Sequence, residues 1–412
     1  MAEHAGTPRR VLSEFSYEPA AAQKGYTGKT LYVNLTDGTI ASKEVTEEVK
    51  ETFIGGRGFG LWYLWHGVED NTKWDDPENE IVISSGPCGG ITQYPGSGKS
   101  IVVSISPLTN VVIDSNVGGH FGPLLKAAGF DAMEVQGKAD EDVIVSIDGT
   151  TGKITIEAAP DVPVNTHEIG HWLIEDMAET EEDRYFMSAV SAGSGADHSR
   201  FGCLNFSFYD RKRKEPRFKQ AGRGGIGTVF RDKGLKALVV KTDPIHGDLN
   251  HPADVARISR VGVKMHKEIR EHDDEQCRMR KRGTTYLVQI MNDYDLLPTH
   301  NFRYGSHEDA PKINGDVWEN EWFTQGIPDG CWYGCTLACA HSVDDYELRT
   351  GPYKGERVIV DGPEYETLGG CGSNLGIFEP WAVLEINFYC DTYGLDTISF
   401  GTGAAFVMEC YE

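Results

Sequence analysis

Seven short runs, TLYVNLTDGTI, EIVISSGP, KSIVVSISP, DAMEVQGK, DVIVSIDG, GKITIEAA and LKALVVKT, succeed one another between Gly28 and Asp243, each bounded by Gly, Pro, Asp or Asn. Apolar runs this short and this regularly punctuated have strand length rather than helix length. In the first, apolar and polar residues alternate around Asp37-Gly38, the dipeptide favoured by a type I′ hairpin turn. The pattern predicts a β-rich domain over residues 28–243. After the break DPIHGDLNHP the period changes. Pro252 suits a first helical position, and Val255, Ile258, Val261, Met265 and Ile269 then recur at helix spacing. A mainly α-helical domain is predicted over residues 248–412, so the expected fold class is α+β.

The chain's 412 residues correspond to two or three domains and can bury a core without disulfide staples. A net charge of −24 excludes nucleic-acid phosphates as partners. Three of the nine cysteines fall within nine residues, a usage that fits metal ligation in a reducing compartment, and the expected location is the cytoplasm. Residues 1–27 carry Arg9 and Arg10, but Glu14 and Glu18 follow with no unbroken apolar run. Neither an export signal nor a membrane span is expected, and the segment reads as a flexible leader. The mixed charges of EIREHDDEQCRMRKR read as an exposed helix end. The last segment, TISFGTGAAFVMECYE, is helical in composition and reaches Glu412 without a terminating Gly, Asn or Pro, the pattern expected if a further domain follows.

Much of the glycine is clustered, in FIGGRGFG, GPCGG, NVGGHFG and AGRGGIG. Such positions let backbone approach an anion closely, although each cluster alone is also ordinary turn chemistry. GSGKS resembles the end of a phosphate-binding loop, but Gln93 stands five residues before Gly98 and a strand-like run follows where a helix is required, which excludes a nucleotide triphosphatase. Gly118 and Gly119 precede His120 and a predicted helix PLLKAAG, giving the best anion site by pattern.

Cys331, Cys335 and Cys339 lie in CWYGCTLAC. Their spacing would line one helical face, as core cysteines do. Zinc would ordinarily use paired CxxC or Cys/His sets, and no second CxxC is present. An iron–sulfur cluster, with Cys371, Cys390, Cys410 or a residue outside the chain as fourth ligand, is the favoured reading. Further on, FEPWAVLEINFYCDTYGLD reads as a helix from about Pro380 that stops at Gly394, with Leu395 making the contact that follows a left-handed cap.

In order along the chain, GKTLYVNLTDG, FIGGRGFG, SPLTN, NVGGHFGPLLKAAGFDAMEVQGKA, AGRGGIGTVFRDKGLKALVV, CWYGCTLAC, DGPEYET and DTYGLDTIS resemble the aldehyde ferredoxin oxidoreductase family of tungsten-pterin enzymes. The resemblance covers residues 28–412. It implies an N-terminal β domain serving as a base for tungsten, or molybdenum, held by two molybdopterins, with a [4Fe–4S] cluster passing electrons to ferredoxin or an electron-transfer subunit. Lys99 stands where the family has an arginine against the cofactor, and a lysine keeps the charge but loses the planar fork. Asn116 and Ala221 match positions whose backbone carbonyls bind a magnesium ion between the pterin phosphates, and Arg223, Gly224 and Gly225 line the same region. Asp391, Gly394, Leu395 and Asp396 match the first pterin-contact motif. Glu366 matches the carboxylate nearest the metal, with the expected role of general base.

Three departures accompany the resemblance. Cys331 and Cys335 are separated by three residues where the family has two. The resemblance places the second pterin motif, the fourth cluster cysteine and a histidine near the metal in a C-terminal domain expected to lie beyond these 412 residues. Glu385 is present on the helix that in some members holds a bridging iron, but Phe388 replaces the histidine, so that iron is not expected. The implied reaction is anaerobic oxidation of an aldehyde to a carboxylic acid. Alternatives are a tungsten subunit of an aromatic-ring thioester reductase complex and a non-catalytic iron–sulfur electron-transfer fragment. A homodimer and a separate chain supplying the missing domain are further expected partners.

Overall fold

A computed structural model describes residues 9–245, 249–324 and 329–412. The chain divides into two compact units: Met1–Gly262 with Trp332–Gly334, and Val263–Cys331 with Cys335–Glu412. The sequence expectation of an α+β fold, β-rich first and helical second, is what the structure has.

In the first unit the strands are β1 (Val11–Ser16), β2 (Lys29–Asn34), β3 (Ile40–Glu44), β4 (Ile81–Ser84), β5 (Ser100–Ile105), β6 (Val112–Val117), β7 (Ala132–Gln136), β8 (Val143–Asp148), β9 (Lys153–Ala158), β10 (Met187–Ser191), β11 (Leu204–Asp210), β12 (Glu215–Ala221) and β13 (Leu235–Lys241). They form a seven-stranded sheet, β1-β9-β8-β13-β10-β11-β12, and a six-stranded sheet, β3-β2-β7-β4-β5-β6. The pairs β2 with β7 and β8 with β13 run parallel, and the rest are antiparallel. Apolar side chains of both sheets, among them Leu31, Ile83, Val145 and Phe206, bury completely in one core with Phe121 and Leu125 of the helix Phe121–Ala127. Burial of this kind contributes about 1.5–3 kcal/mol per large apolar side chain.

Every run singled out as a strand is one. The first hairpin forms as expected, but Asp37-Gly38 is not a two-residue type I′ loop: five residues separate β2 and β3, and Gly38 alone takes positive φ, 73°, while Asp37 accepts from the Thr39 amide at 2.9 Å. The stretch expected as a leader contains strand β1, whose partner β9 supplies the ladder that its own exposed, weakly patterned sequence does not advertise. The helix predicted from Pro252 begins at Val255, because Asp254 caps it by accepting from the Arg257 amide at 2.8 Å. The end of the mixed-charge segment is only partly solvated, since Asp273 is buried and accepts from the Met279 and Arg280 amides.

Several ionisable groups of this unit are interior. Asp131 accepts from the Thr27 and Gly28 amides at 2.9 and 2.8 Å, and Lys126 donates to the Gly86 carbonyl at 2.7 Å. Glu80 and Glu134 lie buried on β4's approach and on β7, and Lys43 bonds Glu134 at 2.9 Å. Burial first, and the neighbouring Glu134 second, push Glu80 up to about 8 from its ordinary 4.5. A carboxyl held above its unfolded value contributes stability that is fully present at low pH and is lost as pH rises from 4.5 toward 8. We expect Glu80→Gln to flatten the pH dependence of urea unfolding over that window and to raise stability at pH 8 by roughly 1–3 kcal/mol over the parent.

The second unit packs Val288, Leu297, Trp318, Leu368, Val383 and Phe388 into its own core against a hairpin of β14 (Ser342–Glu347) and β15 (Arg357–Asp361). The helices Pro380–Tyr393 and Thr397–Tyr411 close it, both where the sequence placed them. No helix among the described residues is long and apolar enough to cross a membrane.

Candidate cofactor site

At the seam of the first unit, the open edges β6 and β12 meet. Asn116 is exposed near the end of β6, and Ala221, fully buried, ends β12. The Arg223 amide donates to the Ser115 hydroxyl at 3.3 Å, so the Ala221–Gly225 turn lies along β6. Two glycines make that approach feasible. A Cβ on Gly224, at φ 86°, would stand 2.5 Å from Ile113, and one on Gly225, at φ 73°, would stand 2.2 Å from the Arg200 carbonyl. Lys99 is exposed one residue before the register pair Ser100–Val117, so it falls level with Gly118, while Gly119 takes φ 82° against the Phe206 carbonyl. Lys99, Asn116, Gly118, Gly119, Ala221, Arg223, Gly224 and Gly225 therefore gather along one seam of one unit. The helix after Gly119 has only seven residues, and Pro123 lies in its first turn.

The cysteine run is not a helix. It forms turns, with Asp329 bridging to Cys339 and Ala340 and with Ala338 at φ 44°, so the helical-face reading of the three thiols fails. Instead, the Cys331 thiol and the backbone amides of Ala338, Cys331 and Leu337 hydrogen-bond the Cys335 sulfur and, against the opposing effect of burial, bring its pKa down to about 5. Such a thiolate is a ready ligand. Cys371 and Cys390 are buried, the former donating to the Thr397 carbonyl at 3.2 Å, and Cys410 is exposed. Among the described residues no group of three or more His, Cys, Asp or Glu side chains is gathered to hold a metal ion.

The helix Pro380–Tyr393 ends as the sequence predicted. Gly394 takes φ 67°, its amide donates to the Asp391 carbonyl at 3.2 Å, and the Leu395 amide reaches the Cys390 carbonyl at 2.8 Å. Asp396, buried, caps the next helix by accepting from the Ile398 amide at 3.0 Å and from Ser399 at 2.6 Å. Asp391 faces Asn387 at 3.3 Å. Glu366 is exposed on the single turn Tyr365–Thr367, while the Thr284 hydroxyl bonds its neighbour Glu364. Glu385 is buried and accepts from the Tyr346 hydroxyl, the Arg349 amide and the Thr350 hydroxyl.

The profile of the aldehyde ferredoxin oxidoreductase N-terminal domain matches residues 30–242, and that of the same family's domains 2 and 3 matches residues 260–412. The chain belongs to the aldehyde ferredoxin oxidoreductase family. Family relatives include the tungsten-containing aldehyde ferredoxin oxidoreductase of Pyrococcus horikoshii, 33% identical over 94% of this chain and 59% of that protein. Another is the aliphatic sulfonate oxidoreductase, WOR-like subunit, of Pyrococcus furiosus, 31% identical over 94% of this chain and 60% of that one. The chain thus spans about three fifths of the length of the curated relatives it matches. Among solved structures, the active-site complex BamBC of benzoyl coenzyme A reductase with 1,5-dienoyl-CoA shares the fold, with a TM-score of 0.72 at 22% identity over 94% of this chain and 56% of that one.

The family implies a tungsten pterin, and the seam fits one in having an exposed cation at Lys99 and oxygen donors of the kind hard cations prefer. The sulfur pair Cys331–Cys335 fits soft-metal ligation, but a four-thiolate set is not assembled among the described residues. Sequence reasoning passed over Ser115 and Thr284, which position the seam and the Glu364 turn. Lone hydroxyl residues carry no pattern that separates such roles from solvated ones.

Gly225→Ala should lower stability by roughly 2–4 kcal/mol in urea unfolding, whereas Gly222→Ala, where a Cβ meets open space, should cost under about 1 kcal/mol. In metal-free protein, Cys335 should be alkylated by iodoacetamide already at pH 6, and Cys331→Ala should move that profile to higher pH, as read by peptide mass spectrometry.

Proposed function

We propose that the chain is the pterin-binding and cluster-proximal part of a tungsten oxidoreductase that converts an aldehyde and water to a carboxylic acid, releasing two protons to solvent and passing two electrons to ferredoxin through a [4Fe–4S] cluster. The match of both of its segments to one family, in order, carries this reading. When bound, the tungsten pterin supplies Lewis acidity and a two-electron sink.

The roles proposed for this chain's own residues rest on the family resemblance, with their placement as support. Asn116 and Ala221 would offer carbonyl oxygens to a magnesium ion, and Arg223 with Gly224 and Gly225 would present backbone beside it. Lys99 balances anionic charge at the same seam. Asp391, Gly394, Leu395 and Asp396 contact pterin ring atoms through a helix corner that is already fixed by its own hydrogen bonds. Cys331, Cys335 and Cys339 are cluster ligands. Glu366 accepts the proton released at the reacting carbon, a role for which its exposed carboxylate is free to pair with substrate.

A second reading, a tungsten subunit of a multi-chain oxidoreductase acting on another substrate class, draws on the kinship with a protein named as a WOR-like subunit. Anaerobic purification with quantification of tungsten, molybdenum, iron and pterin, followed by a dye-linked screen of aldehydes against aromatic thioesters, separates the two. Glu366→Gln should keep metal and pterin content while lowering turnover by at least about 100-fold; undiminished turnover would remove the assignment.

A further inference from the structure

Within the first unit a cavity of about 400 Å³ opens between the Gly90–Gln93 turn, the start of the helix Phe121–Ala127 and the Trp332-Tyr333 pair. None of its lining residues belongs to the cofactor seam. Its size is that of a small-molecule site, and its walls are aromatic: Tyr185, Phe186, Trp332 and Tyr333. Gly98 seats the indole, since a Cβ there would lie 2.0 Å from the Trp332 Cβ.

Thr92 and Gln93 also line this space, and three further polar groups, Arg211, Trp332 and His120, border it. Arg211 is exposed at its rim, with its guanidinium 4.2 Å from the Tyr185 ring centroid and 5.8 Å from that of Tyr333. The adjacent carboxylate, Asp210, is already taken by Arg213 at 2.7 Å and Arg217 at 3.0 Å, and among the described residues no acid pairs with Arg211. In a chain of net charge −24, a cation stacked on aromatic rings and left without an acid is unusual. Trp332 is 5% exposed, yet its buried Nε1–H has no acceptor among the described residues. An orphaned buried donor costs about 1–3 kcal/mol, which an incoming acceptor would recover. His120, 4% exposed, is ringed by Phe208, Trp332 and Tyr333 at centroid distances of 4.7 to 5.1 Å. Burial, reinforced by Arg211, holds its pKa down to about 3, so it presents a neutral ring at physiological pH.

We propose that this cavity binds an aromatic carboxylate of one or two rings, its ring stacked among the aromatic walls and its carboxylate shared between Arg211 and the Trp332 indole N–H. A planar guanidinium at the mouth selects a planar monoanion, and it excludes cationic ligands. One cation and one indole donor are too few for a free phosphate, and among the described residues no group of three or more His, Cys, Asp or Glu side chains is gathered to hold a metal.

Titration of the full chain with 2-naphthoate, followed by calorimetry and by the Trp332 indole resonance in a proton–nitrogen correlation spectrum, tests the proposal. Saturable binding is expected, with a shift of that resonance identified by its loss in Trp332→Phe. Arg211→Gln, a change at an exposed side chain, should weaken binding at least tenfold, and Trp332→Phe, which keeps a ring but removes the donor, several-fold. The uncharged isostere 2-naphthamide should bind at least tenfold more weakly than the acid. The proposal is overturned by no saturable binding at millimolar ligand, by equal binding of acid and amide, by unchanged affinity in Arg211→Gln, or by inorganic phosphate displacing 2-naphthoate at equal concentration. The readout is binding alone, so it stands or falls separately from any redox activity.

Discussion

The hydrogen bond from the Arg223 amide to the Ser115 hydroxyl links two open sheet edges along the candidate cofactor seam. Edge strands present unpaired backbone groups that attract unwanted pairing unless they are covered. Here β12 of one sheet and β6 of the other cover each other through a turn whose glycines admit no side chain on the contact face. That closeness leaves the Asn116 and Ala221 regions side by side, which neither sheet alone would do. The same turn therefore protects the fold and builds the site, so a single added methyl group at Gly225 would be felt in both.

How far this was readable from sequence depended on whether the information was local. The strands between Gly28 and Asp243 were legible because alternation and punctuation are properties of a short window, and the Gly394 stop was legible because a left-handed cap has its own residue preference. Strand β1 was not, since its place is decided by a partner more than a hundred residues away. The spacing of Cys331, Cys335 and Cys339 suggested a helical face, but the segment turns instead, with Ala338 at positive φ and Asp329 bridging to Cys339 and Ala340. The ordered glycine segments disclosed the family only as a set, because each alone is indistinguishable from turn chemistry.

Interior ionisable groups were the least visible class. Lys126, Glu80, Glu134 and Asp131 look like surface residues in composition, yet all four are buried; Lys126, Glu134 and Asp131 meet backbone groups or opposite charge that only the tertiary structure supplies, while one Glu80 carboxylate oxygen has no hydrogen-bond partner among the described residues. The aromatic cavity was hidden for a related reason: Trp332 and Tyr333 sit inside the cysteine run, where attention falls on sulfur, and their neighbours His120, Tyr185 and Arg211 are remote in sequence.

The corner between the helices Pro380–Tyr393 and Thr397–Tyr411 has one more implication. Gly394 and Leu395 lock it from the preceding side and Asp396 from the following side, so almost no backbone freedom remains to be surrendered when something docks there. Affinity at such a platform is not eroded by an ordering penalty, and its geometry should be nearly the same in the vacant and the loaded protein.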